Sequence, residues 1–472
     1  MTGRFHLRTF GCQMNQRDAE QISNLLHHAG YRPAERAEDA DVVVIHTCSV
    51  REKAESKLYS ELGHVTRLKR ERPGLVVGVG GCVAQQEGAR LLDRFRQLDF
   101  AFGPQNLRHL PSLVARARER ERSLRVDYDD ADQRFDLPDR HPDCPRPNAG
   151  RAFVTVMEGC DLFCAFCVVP TTRGREVSRP SDAILDEVRR LSDCGVVEVT
   201  LLGQTVNAYG RSRPGMARGE IPFAELVRRV ADVDGIERVR FTSPHPVFVS
   251  DDLIRAYADV PELCPHLHLP VQSGSDAVLE AMRRRYTRGE YLEIVSRLRE
   301  ARPGLAISTD LIVGFPGESD ADFEQTLSLV READFIDSFS FVYSARPGTP
   351  ATRAAERGQG PPGVDPTVAS ARLSALQDLQ RELTLRHHRQ RVGQSVPVLV
   401  DGPSRRGEGQ QQGRSPENRV VNFESRRPVD AGRIVPVRIT EAQPHSLLGT
   451  PEADLGASSA HPAAAGGELP LV

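Results

Sequence analysis

No apolar run in the 472 residues is long enough to cross a bilayer. The opening stretch Met1–Leu7 lacks the charged-then-apolar order of an export signal. A cytoplasmic protein without membrane contact is expected. That absence bears on the nine cysteines, because a reducing compartment keeps thiols unpaired and makes metal binding a better default than disulfides. A strong net charge is also missing. The formal value of −3 gives no global sign of nucleic-acid binding, but charge is uneven along the chain. Residues 381–440 hold twelve Arg against six Asp or Glu, a local excess of +6 that leaves −9 for the remainder. A basic terminal module on an acidic body suggests a polyanion docked at one end. With 39% hydrophobic and 27% charged residues the chain is soluble and globular, and it is too long for one core.

A fourth thiolate is the next absence. Cys160, Cys164 and Cys167 stand at C-x3-C-x2-C spacing just after the apolar run Ala152–Val156, which reads as a strand. Three thiolates on one loop can hold three corners of a four-iron, four-sulfur cube. No further cysteine follows nearby, so one iron would stay open, the mark of a reactive rather than a structural metal site. A zinc site, a disulfide or three core cysteines are the other readings of the triad.

Residues 1–120 alternate strand and helix. Strands are expected at Phe5–Phe10, Asp41–His46 and Leu75–Val79, with a helix carrying Ile22, Leu25, Leu26 and Ala29 on one face and another at about 52–70. Such alternation predicts a doubly wound parallel α/β domain. A cysteine follows each strand: Cys12, Cys48 and Cys82. The carboxyl ends of parallel strands share one edge of a sheet. The three thiols should therefore converge there, beside Gly11, Gly80 and Gly81, which let backbone approach a bulky cluster.

Residues 121–150 read as a charged, Pro- and Asp-rich linker carrying an incidental Cys144. Residues 151–383 contain six strand-like runs, each followed by a helical pattern: Ala152–Met157, Val196–Leu202, Ile236–Thr242, His266–Leu269, Ala306–Val313 and Phe335–Tyr343. They predict a partial (βα)6 barrel with its site at the strand carboxyl ends, with Cys194 and Cys264 as packing residues. Residues 384–450 carry strand signals at Val396–Val400, Arg419–Phe423 and Val435–Thr440, and read as a small antiparallel β-barrel. Its interleaved arginines fit RNA backbone, and Phe423 is its candidate for stacking on a base. Residues 451–472, rich in Ala, Gly and Pro, read as a disordered tail.

Three single cysteines, then C-x3-C-x2-C, then a basic β module: this order resembles the radical-SAM methylthiotransferases. Matching segments include Thr9–Asn15, His46–Lys53, Gly80–Gln85, Val168–Gly174, His266–Ser275 and Tyr343–Thr349. Thr205 departs from the pattern, where Asn would be expected. The resemblance implies two 4Fe-4S clusters and S-adenosyl-L-methionine (SAM) as cofactors. Cys160, Cys164 and Cys167 would hold the cluster that reduces SAM. Cys12, Cys48 and Cys82 would hold an auxiliary cluster that delivers sulfur. Gln204, Gln272, Ser273 and Asp310, at strand ends in the barrel mouth, are candidate SAM contacts. The last module resembles a TRAM domain, an RNA-binding appendage. The implied reaction is methylthiolation at C2 of a prenylated adenosine beside the anticodon of tRNA. Implied partners are that tRNA, a flavodoxin or ferredoxin electron donor, and iron–sulfur or sulfur carrier proteins, with the chain itself a monomer. Related enzymes of the same chemistry act on threonylcarbamoyl-adenosine or on a ribosomal-protein aspartate. An iron–sulfur electron carrier or RNA-binding scaffold is the reading from another class.

Overall fold

A computed structural model of the chain describes residues 3–49, 52–128, 134–144, 150–404, 409–425 and 429–452. The N-terminal sheet has six parallel strands, β1 (Arg4–Phe10), β2 (Arg32–Pro33), β3 (Val42–Thr47), β4 (Val76–Gly81), β5 (Phe100–Phe102) and β6 (Ser123–Arg125), in the order β2-β1-β3-β4-β5-β6. Every residue of β3 and β4 is buried, as parallel strands covered by helices on both faces must be. On one face Val43, Ile45, Val77 and Val79 pack on Leu58, Leu62 and Val65 of the helix Glu52–Glu71. On the other, Leu7, Val44 and Phe102 pack on Ile22 and Leu26 of the helix Gln13–His28. Two cores, one on each side, make the domain doubly wound.

The three strands expected from pattern lie within two residues of β1, β3 and β4 at either end. The strands β2, β5 and β6 have two or three residues each, too few for a period to register. With β6 the sheet runs past residue 120, into the stretch read as linker.

Two three-stranded parallel sheets follow. The first contains β7 (Arg151–Thr155) and, after a short antiparallel ribbon of β8 (Met157–Glu158) and β9 (Val177–Ser178), β10 (Glu198–Leu202) and β11 (Arg238–Phe241). The second contains β12 (His266–His268), β13 (Ala306–Val313) and β14 (Asp337–Val342). A parallel bridge between Val239 and Leu263 joins them, giving the open six-stranded arc of a partial barrel. Alternation divides the side chains. Val199, Leu201, Val239, Ile307, Leu311 and Val313 enter the apolar core beneath the outer helices. Register then sets Glu198, Thr200, Arg238 and Arg240 on the inward face of one sheet, and Ser308, Asp310, Ile312, Phe339 and Phe341 on that of the other.

The C-terminal module is a closed barrel of β15 (Ser395–Pro403), β16 (Gln410–Arg414), β17 (Val420–Glu424), β18 (Ile434–Ala442) and β19 (Leu447–Pro451), ordered β15-β16-β17-β19-β18. One pairing, β17 with β19, is parallel, so closure is not antiparallel throughout. The helix Pro366–Arg389 leads into it and crosses the boundary drawn at 383/384. From residue 453 the expected tail lies outside the described residues, as do Arg405, Arg406, Arg426 and Arg427.

One expectation for this module is corrected. Phe423 is 1% exposed and sits in the barrel core with Val398, Val421 and Val437, where it cannot reach a base. Nor are all its arginines turned to solvent, since Arg419 is buried. Its strand joins a loop that docks on the central barrel. Arg238 donates to the carbonyls of Arg414 and Pro397, and Arg240 to those of Ser415 and Pro416. Glu198, 3% exposed, lies 3.1 Å from Arg240 and balances the buried charge.

Removing one partner of such a buried group costs about 3–5 kcal/mol. Arg240→Ala should therefore loosen the C-terminal module. Limited proteolysis is expected to release a fragment beginning near residue 390 from the variant under conditions that leave the wild-type chain whole.

Candidate active site

The first triad is shaped by a sharp turn after β8. Gly159 has φ +78°, and a Cβ there would lie 2.1 Å from the Arg175 carbonyl, so a side chain is excluded. The loop is pinned by hydrogen bonds from Cys160 N to Gly174 O, Cys167 N to Cys164 O and Ala165 N to Met282 O. Cys160 and Cys164 are buried. The Cys160 sulfur is 3.0 Å from the Thr205 hydroxyl, and Arg284 approaches Cys164 Sγ at 3.6 Å. Thus Thr205, the departure from the family pattern, contacts the triad directly. Arg284 is held in turn by the Pro270 carbonyl and the Tyr286 hydroxyl, both at 2.9 Å. Burial, with the neighbouring Cys164 charge behind it, pushes the Cys167 thiol up to about 12. Three thiolates together are costly in such a place unless a cation neutralises them, which suits an iron cluster.

The second triad sits at the carboxyl ends of β1, β3 and β4. Cys12 follows Gly11, Cys48 follows Thr47, and Cys82 follows Gly81. The backbone here is cut close. A Cβ on Gly11 would lie 2.4 Å from Cys48 Cβ, and one on Gly81 would lie 2.4 Å from the Thr47 carbonyl. Both glycines have positive φ, so the cradle admits no other residue without strain. A hydrogen bond from Cys48, against burial and aided by Arg173, brings the Cys12 thiol down to about 6. Burial raises Cys82, with Arg173 opposing. Asn15 is fully buried, its Oδ1 3.1 Å from Cys12 Sγ, while its amide nitrogen has no partner. A lowered thiol, a nearby guanidinium, an unspent amide donor and a cradle without side chains fit an anionic cluster. Among the described residues no three His, Cys, Asp or Glu side chains are drawn in to hold a single metal ion; a four-iron cube sets its ligands wider apart than one ion does.

Arg173 connects the two triads. It lies six residues past Cys167 and is 3% exposed. Its guanidinium pairs with Asp18, on the helix that begins after Cys12, and with Glu158, 3.3 Å away, on the strand before Cys160. Asp18 also meets His46 Nε2 at 3.1 Å, one residue before Thr47-Cys48. The Arg173 carbonyl accepts from Gln105 of the N-terminal domain, and the Tyr128 hydroxyl donates to Thr171 O at 2.7 Å.

The four residues expected at the mouth divide. Gln204 accepts from Gly159 N and keeps a buried, unpartnered amide nitrogen. Gln272 takes φ +78° and ties its backbone to Asp310 and Ile312 on β13. Asp310 lies 3.3 Å from His268 Nε2 on the inward face. Ser273 sits in the turn after β12. It is fully buried, 3.4 Å from the Thr326 hydroxyl and accepting from Ser275 N, which commits it to holding its own turn. The remaining cysteines are apart from both triads: Cys144 is buried 3.7 Å from Ser23 and Cys264 is buried. Cys194, expected as packing, is exposed.

Pattern reading missed Arg173, Arg284 and His245. The run Arg283–Arg285 was the available signal for the second. His245 is 4% exposed and pushed down to about 2 by burial and by Arg284, so it is neutral, with Nε2 unpartnered beside the Tyr286 ring.

Residues 4–103 match uncharacterized protein family UPF0004, residues 154–330 match the Radical SAM superfamily, and residues 389–451 match the TRAM domain. A curated relative from Geobacter metallireducens, tRNA-2-methylthio-N(6)-dimethylallyladenosine synthase, is 49% identical over 451 residues, covering 95% of this chain and 99% of its own. A relative of the same name from Syntrophotalea carbinolica is 47% identical over 447 residues, covering 94% and 99%. The chain belongs to the tRNA-2-methylthio-N(6)-dimethylallyladenosine synthase family of radical-SAM methylthiotransferases. At the level of fold, it resembles the radical S-adenosylmethionine methyltransferase TsrM from Kitasatospora setae with a TM-score of 0.55 at 14% identity, covering 86% of this chain and 79% of that one. The cobalamin-dependent radical enzyme OxsB gives 0.52 at 11% identity, over 72% and 53%. The two triads therefore lie in the parts of this methylthiotransferase that match different families.

Arg173→Met would leave Asp18 and Glu158 buried without their cation, a loss of about 3–5 kcal/mol. Restoring balance with Asp18→Asn in the same chain should recover part of it, which a double-mutant cycle measures. Burial alone would raise the Asp18 carboxyl, but Arg173 and then His46 outweigh it and hold it below its ordinary value. The stabilisation is complete above the unfolded value of about 4 and is lost as pH falls below it. The gap in melting temperature between wild type and Arg173→Met should narrow on acidification below about pH 4.

Proposed function

We propose that the chain replaces the C2 hydrogen of an N6-prenylated adenosine, beside the anticodon of tRNA, with a methylthio group. The observation that carries this reading is the pairing of two cysteine triads, at the strand ends of two domains locked together through Arg173. One triad alone would serve SAM cleavage. A sulfur-inserting enzyme needs a second site within reach of the same base. Near-full-length identity to the relatives supports the assignment.

Cys160, Cys164 and Cys167 would hold a four-iron cluster supplying the electron for reductive cleavage of SAM, and Cys12, Cys48 and Cys82 would hold one supplying the sulfur. The chain's own residues bind, orient and shield. Arg284 holds positive charge at Cys164, and Thr205 offers a hydroxyl to Cys160. Gln204, Gln272 and Asp310, the last within β13 on its inward face, are the candidate SAM contacts. His245, kept neutral with Nδ1 accepting from Val247 N, has its Nε2–H left to donate one hydrogen bond without competing as a cation. The C-terminal module contributes tRNA affinity through its outward arginines, Arg389 and Arg433 among them. The enzyme works in the cytoplasm as a monomer, takes electrons from a flavodoxin or ferredoxin, and draws on sulfur or iron–sulfur carriers to restore its auxiliary site. Among the described residues no helix is long and apolar enough to span a membrane.

Reconstituted anaerobically, the full chain should bind about eight irons, and replacing Cys160, Cys164 and Cys167 together by Ala should leave about half. A wild-type content near four would contradict the two-cluster assignment.

The triads should also separate by product. Cys48→Ala should still yield 5′-deoxyadenosine from SAM and reductant while forming no methylthio-adenosine on prenylated tRNA. Cys164→Ala should lose both products. Methylthiolated nucleoside at wild-type level from Cys48→Ala would rule out the sulfur-delivery role.

A further inference from the structure

Among the described residues nine large hydrophobic side chains are exposed, and three of them, Phe339, Phe341 and Val342, belong to β14. This clustering is unexpected for a strand inside a barrel. Phe339 is 51% and Phe341 45% exposed, and two residues apart on one strand they share a face. That face is the inward one. Phe339 stands opposite Asp310 in the ladder, and Phe341 opposite Ile312. The ring of Phe339 lies 5.8 Å from that of His268, nearly at right angles, and His268 Nε2 is 3.3 Å from Asp310.

Two boundaries define how a ligand reaches these rings. Ile312 packs with Ala165 and Phe166 of the cysteine loop, so the loop overhangs the carboxyl end of the shelf. At the opposite end Arg240 is bound to the Ser415 and Pro416 carbonyls of the C-terminal module, and half-buried His266 lies near Arg240, Arg414 and Arg419. The amino end of the cleft is therefore stoppered by protein. Entry is from the cysteine loop side, where the chemistry occurs.

We propose that Phe339 and Phe341 receive the adenine ring and the branched five-carbon group on its N6, and that they set the preference for an uncharged, apolar substituent. The inference rests on the prenylated-adenosine reading above. A base that undergoes chemistry must leave its stack, and an aromatic side chain replaces the lost stacking on its π face. Once seated, the alkenyl group covers ring area that is otherwise wet. The polar neighbours sharpen the choice. Asp310 and Asp337 share the inward face with the two rings, so a substituent ending in a carboxylate meets like charge in a partly desolvated cleft.

The test uses the reconstituted full-length chain and an anticodon stem-loop RNA carrying prenylated or unmodified adenosine. Binding is followed by fluorescence anisotropy without reductant. Burying a group of this size is worth a preference of about tenfold to a hundredfold. Wild type should show it, and the double variant Phe339→Ala, Phe341→Ala should reduce it to within about twofold, chiefly by weakening the prenylated RNA. Phe339→Leu with Phe341→Leu, which keeps apolar volume, should retain most of the preference. As a readout that does not depend on a truncated side chain, fluorinated phenylalanine at 339 and 341 should shift its fluorine resonance with prenylated RNA and not with unmodified RNA. A wild type with no preference would overturn the prenylated-substrate reading itself. A wild-type preference that persists in the Ala double variant, or fluorine resonances that ignore prenylated RNA, would overturn the shelf alone.

Discussion

The guanidinium of Arg173 lies out of water between two domains, and it is tolerable there only because Asp18 and Glu158 are buried against it. A lone charge in that position would cost many kcal/mol; paired, the same charge becomes a condition for docking. Each partner sits near a cysteine. Asp18 lies six residues past Cys12, Glu158 two before Cys160, and His46, bonded to Asp18, two before Cys48. Any slip between the domains would strand one of these groups unpaired. The relative placement of the two triads is thus specified by electrostatics as well as by packing. For a reaction in which a radical formed at one site and sulfur held at another must meet on one carbon atom, such fixity is the main requirement.

The same device recurs at the other end of the barrel. Arg238 and Arg240 point inward from β11, balanced by Glu198, and spend their donors on backbone carbonyls of the C-terminal module. A basic module need not be a loose appendage. Arginines of the barrel hold it by its backbone, its own Arg419 is buried, and only the outward ones remain for phosphate. Net charge counted along the sequence could not tell these apart, because charge is counted by position and burial is decided by tertiary contact.

How far the fold was legible follows from where periodicity is strong. The strands β3 and β4 carry near-continuous apolar runs, β1 alternates apolar with polar residues and β13 is apolar at both ends, so these stood out; β2, β5 and β6 are too short to have a period. The convergence of Cys12, Cys48 and Cys82 at one sheet edge followed from topology alone, since parallel strands all end on the same side. The side chains that serve the triads were harder to see. Arg173 and Arg284 are common residues in charged stretches, and nothing local distinguishes a buried guanidinium from a solvated one. Phe423 failed for the mirror reason, a ring whose strand parity turns it into the core.

Nucleoside analysis of tRNA reads out methylthiolation of prenylated adenosine without an intermediate step. Mass spectrometry of digested tRNA from cells lacking this protein should show the 2-methylthio nucleoside gone and its prenylated precursor accumulated in proportion. Restoring the intact chain should reverse both changes. If the methylthio nucleoside persists at its normal level without the protein, prenylated adenosine in tRNA is not its substrate.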